Sequence, residues 1–113
     1  MYCCLNVVAE AAGDPGCVLI RALEPLCGTK EMWSRRPAAK RRRDLCNGPG
    51  KLTSAMAIGM ELYGADLLKG PLTVRLPSVL EPVRIGITPR IGITKAADLE
   101  LRFFIADNEY VSH

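Results

Sequence analysis

Residues 45–58 read LCNGPGKLTSAMAI, and what the turn Gly48-Pro49-Gly50-Lys51 does there decides how the rest of the chain is read. A glycine-rich turn that ends in lysine and runs into an amphipathic segment is suited to hold a phosphate. A nucleotide-binding P-loop needs Gly-x-x-x-x-Gly-Lys-Ser/Thr directly after a strand. Here Leu52 follows the lysine, Leu45 stands where the first glycine belongs, and a basic stretch replaces the apolar strand. A bound Mg²⁺ would lack its hydroxyl ligand, so a nucleotide loop is excluded. What remains is a helix N-terminus, with Gly48 in a tight turn, Pro49 at the first helical position and Lys51 as a cation in the first turn. Exposed backbone N–H groups at such a terminus attract an anion. This helix is expected to run to about Ile58.

Upstream, Arg35, Arg36, Lys40, Arg41, Arg42 and Arg43 crowd one short stretch, although the formal net charge is only +3. The cluster suits a polyanionic partner; a solvated loop is the ordinary alternative. A helix is expected over residues 29–36, with Thr29 as N-cap, Pro37 as stop and Met32-Trp33 as packing residues. Before it, YCCLNVVAE and CVLIRAL read as strands joined through the turn formers of AAGDPG. A hairpin centred on Gly13-Asp14 sets Asn6 directly opposite Arg21, whereas later centrings separate them; the sequence leaves the register open.

Downstream, YGADLLKGPLTVRL carries an Asp-led turn and an expected strand near Leu72–Leu76. In RIGITPRIGIT, residues 84–88 recur as residues 90–94 across Pro89. Two short β-branched segments with a central glycine fit strands with a close backbone approach. The closing LRFFIADNEYVSH adds a strand and a tail. Together these elements predict an α+β domain over residues 1–113, a mostly antiparallel curved sheet with about two helices.

At 113 residues, with 49% hydrophobic and 5% aromatic residues, the composition is that of a globular chain and not of a disordered one. The apolar runs are too short to span a bilayer, and Met1-Tyr2 opens directly into strand-like sequence, so neither a membrane anchor nor a signal peptide is expected. The cysteines Cys3, Cys4, Cys17, Cys27 and Cys46 form no Cys-x-x-Cys pair, and the single histidine is His113. No zinc site is expected, and the thiols are expected to be reduced and mostly buried.

The string LCNGPGKL together with VLIRALEP closely resembles the alkyladenine (3-methyladenine) DNA glycosylase family. TPRIGI and LRFFIADNEYVS agree with that family's last strands, collinearly from Met1 to Ser112. The family's usual Gly-Glu-Trp is absent around Ala96–Leu99, and Glu109 stands where proline is usual. The resemblance begins inside a strand, midway through a family member, so the chain is expected to be the C-terminal part of the domain. The family's general-base glutamate and its stack-wedging tyrosine precede that strand and have no counterpart here. Met1 aligns with an internal methionine, which implies a truncated product or a start codon placed too late.

The resemblance implies base flipping: an alkylated purine is rotated out of the duplex, and an activated water attacks the anomeric carbon. Asn6 and Leu19 match pocket residues, Asn6 disfavouring guanine-like bases through their exocyclic amine. Arg21 matches an arginine that helps hold the water. The carbonyl of Ile91 matches a second holder, selected over Ile85 by the preceding Thr88-Pro89. Met1, Tyr2, Gly48, Lys51 and Arg90 match positions that face the DNA backbone, which would place the duplex without reading its sequence. The implied partner is double-stranded DNA with a damaged purine; no cofactor, metal or membrane is implied. A monomer is expected for a complete domain and an aggregation-prone chain for a truncated one, in the bacterial nucleoid or the eukaryotic nucleus. The alternative is a non-catalytic module that holds DNA by its backbone charge.

Overall fold

The computed structural model describes residues 3–8, 16–79, 82–91 and 99–111. The architecture is α+β: an antiparallel hairpin, two short helices, then a second antiparallel hairpin. Strand β1 (Asn6–Val8) pairs with β2 (Cys17–Leu19), and β3 (Ile85–Thr88) pairs with β4 (Arg102–Ile105). The antiparallel pairing is as expected, but among the described residues it forms two separate two-stranded sheets instead of one curved sheet.

In the first hairpin Asn6 lies across from Leu19, Val7 from Val18 and Val8 from Cys17. Asn6 is therefore not opposite Arg21; the pairing centres earlier than Gly13-Asp14. The reason lies at the inner end of the ladder, where the Ile20 N–H donates to the Leu5 carbonyl at 2.9 Å. That register sets Leu5 beside Ile20, and both pack against the buried core. Burying this apolar pair fixes the slide of one strand on the other. Most of the turn, residues 9–15, lies outside the described residues.

Helix α1 (Thr29–Arg35) is capped by Gly28 and not by Thr29. Gly28 sits at φ 72°, a left-handed conformation that glycine adopts without cost, so Thr29 already belongs to the helix. The helix stops before Pro37, as expected. Met32 packs on the core, whereas Trp33 is 37% exposed and does not share that role. Helix α2 (Pro49–Ala55) begins with Pro49 at its first position and ends short of Ile58. Its end is a left-handed cap at Ala57, φ 55°, with the Ile58 N–H bonded to the Thr53 carbonyl at 2.8 Å and the Ala57 N–H to the Ser54 carbonyl at 3.2 Å. This is the Schellman arrangement, which usually places glycine where this chain has alanine.

The core gathers on the two helices and on the stretch between them. Leu45, Cys46, Leu52, Ala55 and Ala39 are buried, and Leu5, Ile20, Leu23 and Met32 pack around them. Thr53, also buried, donates its hydroxyl to the Cys3 carbonyl at 2.8 Å and so ties α2 to the run into β1. The Leu23 N–H reaches the Cys46 carbonyl at 3.0 Å and ties the exit of β2 to the same place.

The strand expected near Leu72–Leu76 does not form. The segment follows Gly70, at φ 96°, makes one loop bond from the Val74 N–H to the Leu67 carbonyl, and leaves Leu76 86% exposed. Among the described residues no neighbouring strand offers it a ladder. The Asp-led turn before it is present, with the Leu68 N–H donating to Asp66 Oδ1 at 2.9 Å. No helix among the described residues is long and apolar enough to cross a membrane.

The cysteines are free thiols, but they are not mostly buried: Cys4, Cys17 and Cys27 are exposed, Cys3 is half-buried and only Cys46 is enclosed. Burial pushes the Cys46 thiol up, and the positive charge of Arg36 only partly offsets this. Since the thiolate is the reactive form, brief alkylation of the folded chain is expected to label Cys4, Cys17 and Cys27 and to spare Cys46. Peptide mass spectrometry with and without denaturant measures this; fast labelling of Cys46 in the folded chain would contradict the packing described.

Candidate functional site

The second hairpin uses the first copy of the Arg-Ile-Gly-Ile-Thr repeat. Its register pairs Ile85 with Ile105, Gly86 with Phe104, Ile87 with Phe103 and Thr88 with Arg102. One end is closed by the ion pair of Arg84 with Asp107 and by the Ala106 N–H bonded to the Arg84 carbonyl at 2.8 Å. At the other end the Arg102 guanidinium donates to the Thr88 hydroxyl at 3.3 Å and lies 4.4 Å from the centre of the Phe104 ring. Pro89 then follows; it has no N–H to continue a ladder, and Arg90 and Ile91 leave the strand.

That departure places Arg90 and Ile91 on the wall of an open cavity of about 740 Å³. The opposite wall is the segment from Cys17 to Glu24, which brings in Leu19 and Arg21. Four of the residues singled out by sequence therefore converge on one cavity from the two hairpins: Leu19, Arg21, Arg90 and Ile91. Its volume lies in the range of small-molecule clefts. Among the described residues three arginines line it, Arg21, Arg90 and Arg102, against the single carboxylate of Glu24.

Asn6 sits elsewhere. It faces Leu19 across the hairpin, is exposed, and accepts a weak hydrogen bond from the Cys17 thiol at 3.9 Å; it is not on the cavity wall. Met1 and Tyr2 lie outside the described residues. Sequence reading passed over Phe103, Phe104 and Tyr110, which line the same cavity. A signal for them was available: in LRFFIADNEY aromatic residues interrupt a chain otherwise poor in them.

Gly48 and Lys51 line a second, shallower cleft of about 320 Å³, together with Arg36 and Ser54. Gly48 is extended, at φ −163°, so no unusual dihedral calls for glycine there, contrary to the expected tight turn. A side chain at this position would crowd the stem of Lys51, the nearest carbon lying 3.3 Å away. The Gly48 carbonyl accepts the Leu52 N–H at 2.9 Å, which starts the helix.

The basic run is not simply a solvated loop. Arg35 donates to the Ala55 carbonyl at 2.9 Å, Arg36 to the Asp44 carbonyl at 3.1 Å, and Arg42 to the Pro25 carbonyl. Arg41 pairs with Asp44 at 3.2 Å. Desolvation pushes the Asp44 carboxyl up, but the bonds and charge of Arg41, with Arg43 behind it, outweigh this and leave it below the usual carboxylate range. These arginines stitch the loop carbonyls around the motif, a job for planar, multi-donor groups.

A family model for methylpurine-DNA glycosylases matches residues 1–109. Among curated proteins, one from Methanoculleus marisnigri is 47% identical over 99% of this chain, one from Lactiplantibacillus plantarum 40% over 98%, and one from Chlorobaculum parvum 43% over 96%. All three carry the provisional name 3-methyladenine DNA glycosylase. The chain spans 59%, 54% and 51% of their respective lengths.

Proposed function

Since the chain belongs to the methylpurine-DNA glycosylase family, we propose that it serves base-excision repair, supplying the water-holding side of a site that hydrolyses the N-glycosidic bond of a flipped, alkylated purine. The observation that carries this reading is the convergence of Arg21 and Ile91 on one cavity from two separate hairpins. A water molecule has two lone pairs and two protons. The Arg21 guanidinium donates to one lone pair, and the Ile91 carbonyl accepts one proton. The second lone pair is then aimed at the anomeric carbon, and the second proton goes to a carboxylate base. That base, a glutamate in the family, belongs to the part of the fold that this chain does not match.

In the reaction the water oxygen bonds to the anomeric carbon while the carbon–nitrogen bond breaks, its electron pair leaving with the base. A cationic base such as 3-methyladenine departs neutral, so catalysis rests mainly on positioning the water. Leu19 and Phe103 offer apolar surface to a flipped base, and Asn6, across the hairpin from Leu19, biases base choice from its edge. Gly48, Lys51 and Arg90 face the phosphates and hold the duplex in place, with Met1 and Tyr2 as further backbone contacts in the same proposal.

The test is a fusion: the Methanoculleus relative with its matched segment exchanged for this chain. In single-turnover assays on duplex carrying 3-methyladenine the fusion is expected to release the base, and Arg21→Ala to slow release by about 10²-fold, the scale of a misplaced reactant. Asn6→Ala is expected to alter the rate ratio between hypoxanthine and undamaged guanine. A fusion that binds DNA without excision, and with affinity indifferent to Asn6→Ala, would instead support the non-catalytic backbone-binding module. The Lys51–Arg36 cleft, set apart from the main cavity, is the observation that favours that second reading.

A further inference from the structure

Asn6 is the one polar side chain of β1, and a single hydrogen bond orients it. The register sets Asn6 across from Leu19 and Val8 across from Cys17, so these four side chains share one face of the hairpin, with Cys17 diagonal to Asn6. Cys17 and Leu19 both line the cavity. The Cys17 thiol donates to Asn6 Oδ1 at 3.9 Å, and no other side-chain bond of Asn6 occurs among the described residues. The carboxamide therefore turns its oxygen to the cavity-lining strand and keeps its NH2 group for whatever approaches from the cavity's edge.

A carboxamide has two unlike ends: the oxygen accepts, the nitrogen donates, and a half-turn about the Cβ–Cγ bond exchanges them. Toward a purine the two ends act oppositely. Guanine carries an exocyclic amine, which is a donor, where hypoxanthine has only a C–H. An NH2 group presented to guanine sets donor against donor and leaves both unsatisfied, which excludes that base. A carbonyl presented instead would accept from the same amine and admit guanine. The end of Asn6 that points outward thus sets the sign of the discrimination and not only its size.

We propose that Cys17 is a positioning residue for base choice: its thiol anchors the Asn6 oxygen, so that the amide meets the base with its NH2 group and guanine is refused. Cys17 acts through Asn6 and has no part in holding the water. The identity of the base that Asn6 meets rests on the glycosylase reading, whereas the coupling of Cys17 to Asn6 belongs to the hairpin itself, and the two fail separately. A thiol is a weak donor, so the orientation it holds is a bias, and its effect on base choice is severalfold and not absolute.

In the 113-residue chain the Asn6 carboxamide is followed by nuclear magnetic resonance with carbon and nitrogen labels. Cys17→Ala is expected to shift the Asn6 Cγ and Nδ2 resonances, and Cys17→Ser, which keeps a donor, to return them most of the way. Cys27→Ala, at an exposed thiol off the cavity wall, is expected to leave them in place. In the fusion with the Methanoculleus relative, the ratio of single-turnover rates on hypoxanthine and on guanine is expected to fall about three- to tenfold for Cys17→Ala, the scale of one hydrogen bond. Cys17→Ser is expected to change it much less. In an Asn6→Ala background Cys17→Ala is expected to leave the ratio unchanged, since no amide remains to be oriented. A ratio that falls equally with and without Asn6, resonances indifferent to Cys17→Ala, or an unchanged ratio in an active fusion would overturn the proposal. A fusion that excises neither base counts against the glycosylase reading, and the same ratios, measured as dissociation constants for hypoxanthine- and guanine-bearing duplex, then decide the role of Cys17.

Discussion

The 113-residue chain alone is expected to excise 3-methyladenine at least ~10²–10⁴-fold more slowly than the fusion that restores the unmatched segment. The range is what a positioned acid–base group contributes, and the carboxylate that takes the water's proton lies outside this chain in the proposed reading. Arg21 and Ile91 cannot substitute for it. An arginine stays protonated at any working pH, and a backbone carbonyl accepts a hydrogen bond without taking a proton. Among the described residues of the cavity wall the one carboxylate is that of Glu24. Single-turnover rates with enzyme in excess, measured on one lesion-bearing duplex for both proteins, decide the matter. Equal rates would mean that a base inside this chain, Glu24 first among them, does the work.

Leu52→Ala is expected to remove most or all of the chain's cooperative stability. Leu52 is fully enclosed among Leu45, Cys46, Ala55 and Ala39, and only the half-buried Leu5, Ile20, Leu23 and Met32 surround that small cluster, so a gap at Leu52 opens the centre of the core. Truncating a buried leucine costs about 2–5 kcal/mol, with the larger values where surroundings do not relax. Whole domains have only ~5–15 kcal/mol to lose, and small ones sit at the low end. The measurement is a urea titration followed by far-ultraviolet circular dichroism, wild type against variant. Leu76→Ala, at a residue 86% exposed, serves as the contrast and is expected to change stability by less than ~0.5 kcal/mol. A small loss for Leu52→Ala would mean that the core lies elsewhere.

Local chemistry made the helices and hairpins legible, and long-range packing decided where that reading went astray. Pro49 and Pro37 announced a start and a stop that the structure keeps. The end of α2 was hidden because its left-handed cap falls on Ala57, an identity that carries no signal for that conformation. The register of the first hairpin was invisible since it depends on Leu5 and Ile20 reaching a core made by residues some thirty positions away. The segment 72–76 has the composition of a strand but no neighbour among the described residues, and a strand is a property of a pair. For the site, the motifs pointed to Leu19, Arg21, Arg90 and Ile91 together, and the cavity joins them. Asn6 came to the pocket through the resemblance; the actual register moves it from Arg21 to Leu19, two residues along the same face, and leaves it at the hairpin's exposed surface beside the cavity-lining strand.

The repeated Arg-Ile-Gly-Ile-Thr has a consequence for how the chain reaches this fold. Strand β4 pairs with the first copy, across the intervening residues 89–101, although an identical copy at residues 90–94 waits closer, across residues 95–101. The nearer loop is about half as long, and each halving of a loop favours closure by ~0.6 kcal/mol. The nearer pairing therefore forms sooner in a refolding chain, with the same side chains facing β4 and the same glycine beneath Phe104. The observed pairing with the first copy puts Arg90 and Ile91 on the cavity wall. Loop length thus favours one copy and the observed pairing the other, within the same eleven residues.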